Sequence, residues 1–215
     1  MALFSHLPRV LPDPSTATSQ SRGRVVVAVH GTLSEPFAFR PLAAALSERG
    51  VDMSAPSHGQ RGTALIDASS NAVADTITSL PAAVTRVDVV GHSSGAPIAL
   101  RALSDPAVAE RVHTLVGLGA AWRGTAHRAW YRPDCLVRLF LGESFVELEN
   151  VGEPVLPAGV EVISVVSDAD TVVPGWSSSL GRVVHVAGVP HRKLPGCTGE
   201  VLRVLGLRKS TSARC

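Results

Sequence analysis

Ser93 lies at the centre of the sequence GHSSG, residues 91–95, and is the strongest candidate for chemistry in the chain. Apolar segments on both sides predict a strand before the motif and a helix after it. A G-x-S-x-G turn between a strand and a helix is typical of a nucleophilic serine, because the sharp turn exposes the hydroxyl at the end of the strand. The flanking glycines fit, since a β-carbon at either position would collide with the neighbouring strand or helix. The motif therefore predicts a nucleophile, with a helix N-cap as the structural alternative.

Two carboxylates and two histidines downstream of this serine could complete an acid–base system. Asp168 and Asp170 both follow one apolar segment, and side chains two residues apart point the same way along an extended chain, so their spacing does not distinguish them. His185 lies inside an apolar run and is assigned to a strand, whereas His191 follows that run in a loop.

The elements that must position these residues alternate along the chain. Strands are predicted at residues 24–29, 51–56, 87–90, 112–118, 160–166 and 182–186, and helices at 36–49, 64–80, 96–103 and 199–207. This alternation favours a single-domain α/β fold with a mostly parallel, doubly wound sheet flanked by helices. Segment 120–158 is irregular, with helical pieces at 136–141 and 144–148, and contains no large lid.

Composition narrows the class of protein further. The 215 residues carry a formal net charge of +2, so the charge balance does not indicate a nucleic-acid partner. No segment reaches the ~18 apolar residues of a membrane span, so we expect no stable membrane insertion. The N-terminus lacks the pattern of a signal peptide, which predicts a cytoplasmic protein. We expect an extended arm at 1–22, one domain at 23–208 and a tail at 209–215.

The three cysteines, Cys135, Cys197 and Cys215, lack the spacing of metal ligands. A sparse, odd set predicts free thiols that are buried or terminal, and it leaves a bridge between the first two open. No metal site is predicted.

Five segments in order resemble the α/β-hydrolases, and more narrowly the small bacterial triacylglycerol lipases and esterases. They are VHGT at 29–32, GHSSG at 91–95, GLGAAWRGT at 117–125, SDADTVVP at 167–174 and GVPHRKL at 188–194. The chain departs from the pattern at Ala121, where lipases usually carry proline. It also departs at Ala96, where a second glycine often follows the GHSSG turn, the nucleophile elbow. The resemblance implies the α/β-hydrolase fold and cleavage of carboxylic esters through an acyl-enzyme, without a cofactor.

The resemblance also implies roles for particular residues. In this family the nucleophile precedes the acid and the acid precedes the histidine, which gives Ser93, Asp170 and His191 as the triad. His191 is preferred as the base because it lies beyond the last strand, where ligands bind in open parallel sheets. Asp168 is then a turn-capping or solvent residue.

Backbone amides of Thr32 and Ser94 are the oxyanion donors that the resemblance implies. His30 and His92 frame the predicted site and are candidates for substrate contact, with a structural role as the alternative. Trp122 is a candidate pocket wall, because aromatic residues often line such pockets, with core packing as its alternative.

The leading hypothesis is an esterase or lipase that acts on small-molecule esters, with a place in lipid metabolism. Two alternatives stay open. An acyltransferase or an amide or thioester hydrolase would use the same triad, and a non-catalytic ligand-binding protein could keep the same fold.

Overall fold

A computed structural model describes residues 11–125, 134–149 and 152–207 of the chain. Within these ranges six strands form one parallel sheet in the order β2-β1-β3-β4-β5-β6. Their bounds are β1 Gly23–Val29, β2 Asp52–Ser54, β3 Val84–His92, β4 Val112–Leu118, β5 Glu161–Ser167 and β6 Arg182–Val186. The predicted parallel α/β sheet is therefore confirmed.

Helices connect the strands and cover both faces of the sheet. They are α1 Arg40–Ser47, α2 Gly59–Gly62, α3 Ile66–Thr78, α4 Gly95–Ala102, α5 Pro106–Ala109, α6 Asp134–Leu141, α7 Glu143–Leu148, α8 Gly175–Ser178 and α9 Thr198–Val204. The described residues also contain two 3₁₀ turns, Pro36–Phe39 and His191–Gly196. The helix predicted at 36–49 is divided into a 3₁₀ turn and α1, since Pro41 lacks an N–H and is tolerated only in the first turn of an α-helix.

The inner strands are mainly apolar because helices bury both of their faces. In β1, Val25, Val27 and Val29 belong to the core under α3 and α4. The alternate residues Val26 and Ala28 belong to the core under α1 and α9. Burial on both faces explains why the strand is apolar without a break from Val25 to Val29, rather than an alternation of polar and apolar residues.

The strand order changes direction between β1 and β3. From β1 the chain continues to β2 on one side, and it then crosses to β3 on the other side of β1. In open parallel sheets such a switch leaves a crevice at the carboxyl ends of the two strands that flank it. The loop beginning at His30 follows β1, and Ser93 follows β3. The topology therefore brings the first two motifs of the sequence to one crevice.

The described part of the N-terminal segment runs along the edge strand β2. The amides of Thr16 and Ala17 donate to the Met53 carbonyl over 2.7 and 2.9 Å, and the Met53 amide donates to the Thr16 hydroxyl. These contacts cover part of an exposed sheet edge. The boundary of the predicted arm stays a prediction, and its residues 1–10 and the predicted tail lie outside the described residues.

Two of the three cysteines are described, and both are free thiols. Cys135 is exposed and Cys197 is half-buried, and no disulfide joins them, although the sequence had left this bridge open.

Among the described residues, no helix has the length and apolar character that a membrane span requires.

Candidate active site

The turn that carries Ser93 has the strained backbone expected for an exposed nucleophile. Ser93 has φ +53°, in the left-handed region that L-residues other than glycine rarely adopt. Its amide donates to the Leu118 carbonyl over 3.1 Å, and its carbonyl accepts from the Ala121 amide over 3.2 Å. Both partners belong to β4 or the segment just after it, so the neighbouring strand holds the turn in place.

Three glycines allow the backbone to approach this turn closely. A β-carbon on Gly91 would lie 2.6 Å from the Ala96 nitrogen, and one on Gly95 would lie 2.7 Å from the His30 carbonyl oxygen. A β-carbon on Gly31 would lie 2.9 Å from the Ser93 Cβ. The ends of β1 and β3 and the start of α4 are thus in contact through backbone, which leaves no room for side chains.

The candidate base and acid are joined by a short hydrogen bond between buried groups. His191 Nδ1 donates to Asp170 Oδ2 over 2.7 Å, and the two side chains are 8% and 2% exposed. Because the carboxylate accepts at Nδ1, the neutral imidazole carries its proton there, and Nε2 has the lone pair that a general base needs. The arrangement suits proton abstraction at Nε2.

The Asp170 carboxylate is held as an anion. Its Oδ1 accepts from the amides of Val172 and Val173 over 2.8 and 2.9 Å. Burial raises the pKa of this carboxyl, but the hydrogen bonds from His191 and from the two amides outweigh burial and leave the pKa below its usual value. A carboxylate that stays ionised can orient the imidazole and stabilise its protonated form.

Asp168, which spacing alone did not separate from Asp170, is directed elsewhere. Its Oδ1 accepts from the Gly188 amide over 2.6 Å and ties the end of β5 to the turn after β6.

Gly119 is a site residue that sequence reasoning missed. It has φ +50°, and a β-carbon there would lie 2.7 Å from Asp170 Oδ2. Its position directly after an apolar strand was the available signal.

A cavity of about 420 Å³ lies between the Ser93 elbow and the 3₁₀ turn His191–Gly196, the histidine turn. Ser93 and His191 both line it, but the Ser93 hydroxyl does not hydrogen-bond to the imidazole in this structure. Such bonds are often long before substrate binds and tighten in the complex. The wall is largely apolar and includes Leu33, Ala38, Leu141, Phe145, Leu148 and Val172. Sequence reasoning did not identify these wall residues, because they come from three segments that lie far apart in the chain.

His92 also lines the cavity and supports the histidine turn. Its Nε2 donates to the His191 carbonyl over 3.1 Å, and the two rings lie 4.7 Å apart. Burial, followed by the charge of His191, lowers the pKa of His92 to about 3. The ring is therefore neutral at ordinary pH and serves as a hydrogen-bond donor to the backbone.

His30 is not brought to the cavity wall. It is 1% exposed and stacks on His58, with ring centroids 4.0 Å apart and planes 16° from parallel. His58 Nε2 donates to the His30 carbonyl over 3.1 Å, and burial lowers the pKa of His58 to about 4. The structural alternative for His30 fits this arrangement, since the stacked pair supports the loop after β1.

Trp122 is likewise a core residue, which corrects its assignment to the pocket wall. The side chain is fully buried, and its indole Nε1 donates to the Ser164 hydroxyl over 2.9 Å. A β-carbon on Gly117 would lie 3.0 Å from the indole Cε2, so this glycine makes room for the ring on the face of β4. The indole is large and carries one donor, and the core supplies both the space and the acceptor.

The two residues of the predicted oxyanion site lie together at the cavity. The Thr32 amide donates to the Ser94 hydroxyl over 2.8 Å, and the two hydroxyl oxygens are 2.9 Å apart. The Ser94 amide makes no hydrogen bond with the described residues, and it lies at the start of α4, where an anion is favoured.

Known proteins share this fold. The sequence matches the alpha/beta hydrolase family over residues 26–187, which is more than half of the chain, and the chain belongs to that family. No curated protein is significantly similar to it.

Solved structures that are similar in fold include a lipase, a methylesterase and a thioesterase domain. Lipase B of Aspergillus fumigatus superposes with a TM-score of 0.59 at 19% identity, over 79% of this chain but only 45% of the lipase chain. The methylesterase MES16 of Arabidopsis has a TM-score of 0.64 at 15% identity, over 86% of this chain and 99% of its own. A thioesterase domain from the curacin biosynthetic pathway has a TM-score of 0.62 at 15% identity, over 90% and 94%. At these identities the likeness concerns the fold alone.

Proposed function

We propose that the protein is a serine hydrolase that cleaves carboxylic esters with Ser93, Asp170 and His191. The observation that carries the proposal is the buried 2.7 Å hydrogen bond between Asp170 and His191 at a cavity that the strained Ser93 turn also lines. A nucleophile, a base and a group that orients the base are the parts that acyl transfer requires.

The reaction follows from the protonation states of these groups. Ser93 Oγ attacks the ester carbonyl carbon, and its proton passes to His191 Nε2 while the carbonyl oxygen becomes an oxyanion. His191 then returns the proton to the departing alcohol oxygen, which leaves an acyl group on Ser93. Water attacks this acyl-enzyme with the same proton transfers, releases the carboxylic acid and restores the serine.

The apolar wall of the cavity suits a substrate with an apolar acyl or alcohol group. The wall includes Leu141, Phe145 and Leu148 from α6 and α7, and Val172 from the loop that carries Asp170. A volume of about 420 Å³ suits a small molecule, since ligand sites typically measure roughly 300–1,000 Å³. We infer an ester of moderate size with at least one apolar group.

A fluorophosphonate probe and a p-nitrophenyl ester series test the proposal. We expect the wild type to be labelled at Ser93, and Ser93→Ala and His191→Ala to lower kcat by roughly 10⁶-fold, because the residues act as one unit. Ser70→Ala is a matched control, since Ser70 is a buried serine remote from the cavity whose hydroxyl donates to the Asp67 carbonyl in α3.

Three results would overturn the proposal. They are a folded wild type that is not labelled, turnover in Ser93→Ala close to that of the control, and cleavage of thioesters in strong preference to the matched oxygen esters. The third would keep the triad and change the substrate class.

A further inference from the structure

The side chain of Ser94 has contacts that its place in the fold does not explain. Ser94 is the N-cap residue of α4, yet its hydroxyl caps no helix amide. The hydroxyl instead accepts from the Thr32 amide over 2.8 Å and lies 2.9 Å from the Thr32 hydroxyl. Ser94 is 1% exposed and lines the cavity beside the nucleophile. An N-cap serine ordinarily uses its oxygen for the helix, so this one serves another contact.

Counting hydrogens identifies what this pair can donate. Two hydroxyls carry two hydrogens, and one of these lies between the two oxygens. If Thr32 donates to Ser94, the Ser94 hydrogen is free, and if Ser94 donates to Thr32, the Thr32 hydrogen is free. Neither hydroxyl has another partner among the described residues, so in either arrangement one O–H is available at the cavity.

The same contact engages the amide that the sequence resemblance assigns to the oxyanion. The Thr32 N–H points at Ser94 Oγ, so it reaches a substrate oxygen only if that hydroxyl turns away. A hydroxyl oxygen that already accepts an N–H is also a stronger donor through its own hydrogen. The resting geometry therefore favours an O–H over the Thr32 N–H as the group that meets the oxyanion.

We propose that the hydroxyl pair of Ser94 and Thr32 donates the second hydrogen bond to the oxyanion, beside the Ser94 amide. The Thr32 amide acts in positioning, because it holds the Ser94 oxygen in place. This inference rests on the proposed ester hydrolysis at Ser93, and it makes a side chain, rather than the backbone alone, part of the oxyanion site.

The decisive variant is the double substitution Ser94→Ala with Thr32→Val, which removes both hydroxyls and leaves both amides. We expect kcat to fall by about 10²-fold with KM changed less than about threefold, since deleting one oxyanion donor typically costs that much. Inhibition by a trifluoromethyl ketone, whose adduct with serine carries an oxyanion, should weaken by a similar factor. Thr32→Ser, which keeps the hydroxyl, should recover most of any kcat that Thr32→Val loses.

The controls separate this inference from loss of fold and from failure of the proposed function. Ser70→Ala should keep wild-type kcat, and thermal melts of all variants identify any loss of folding. If the double variant loses less than about tenfold in kcat, or gains, the Thr32 amide binds the oxyanion and the inference is overturned alone. If wild-type Ser93 is not labelled by the phosphonate, the proposed function fails and the inference fails with it.

Discussion

The two sides of the candidate site are built in different ways. On the nucleophile side, the ends of β1 and β3 meet α4 through backbone, and Gly31, Gly91 and Gly95 permit those contacts. On the acid–base side, beyond β5 and β6, side-chain hydrogen bonds hold the reacting groups, and the Asp170–His191 pair is the central one. We infer that any added β-carbon damages the first side, whereas the second side depends on particular polar atoms.

Asp170→Asn should lower activity strongly while leaving the nucleophile and the base in place, because it changes one polar atom on the side that depends on such atoms. The amide cannot hold the imidazole in the required tautomer or stabilise its charge, and we expect kcat to fall by about 10⁴-fold. Asp168→Asn is the matched control, since its carboxylate accepts from the Gly188 amide and not from His191. Kinetics on a p-nitrophenyl ester measure both, and equal losses would contradict the assignment of Asp170.

Gly95→Ala tests the nucleophile side, where backbone segments are in contact, by adding a single methyl group. The β-carbon would collide with the carbonyl oxygens of Val29 and His30, and backbone cannot move aside as a flexible side chain can. We expect the free energy of unfolding in urea to fall by about 3 kcal/mol. Gly199→Ala in α9 is the control, because its β-carbon meets nothing within 4 Å. Similar stability of the two variants would show that the close approach at α4 can relax.

Acid should destabilise the nucleophile side through the buried ring of His58. Burial lowers the pKa of His58 from 6.5 to about 4, so between those values the unfolded chain binds a proton that the folded chain does not. Stability therefore falls as pH falls through this window, by about 2 kcal/mol between about pH 6.5 and 4.5 from this residue. Urea unfolding at several pH values measures it.

The variant His58→Gln is designed to remove that contribution while keeping a donor for the His30 carbonyl. Its stability should depend less on pH than that of the wild type over the same window. The pKa of His92, lowered to about 3, leaves a second contribution in both proteins. Parallel pH profiles of the two proteins would mean that His58 does not stay neutral in the folded protein over this window.

His92→Phe should give the smallest effect, because the residue acts on His191 through one backbone hydrogen bond. Loss of that bond lets the histidine turn shift, and we expect kcat to fall by about tenfold with KM nearly unchanged. His92→Gln offers an amide N–H to the same carbonyl and should retain more activity than the phenylalanine variant. If the two variants are equally impaired, ring packing against His191 matters more than the hydrogen bond.

Much of the fold followed from local pattern. The β-branched runs and the helical spacing predicted the strands and the main helices, and the sheet is parallel as expected. The largest local difference is at α1, where Pro41 restricts the start of the helix. Short elements such as α5 and α8 were not predicted, since four residues are too few to carry a periodic signal.

Part of the candidate site could also be predicted from local sequence pattern. Ser93 lies in a contiguous motif, so the turn could be predicted from its immediate neighbours and from glycines within two residues. Trp122 illustrates the limit, because an aromatic residue after a strand suits a pocket wall and a core equally. Its contact with Ser164, 42 residues away in the chain, cannot be predicted from local pattern.

The sequence by itself determined the parallel fold, the position of the elbow and a short set of acid and base candidates. These depend on periodicity and on residues adjacent in the chain. Only the tertiary structure decided that Asp170 rather than Asp168 meets His191, that the Thr32 amide is engaged by the Ser94 hydroxyl, and which apolar groups form the cavity. The physical reason is that hydrogen bonds and packing act over a few ångströms in space, between groups that are tens of residues apart in sequence.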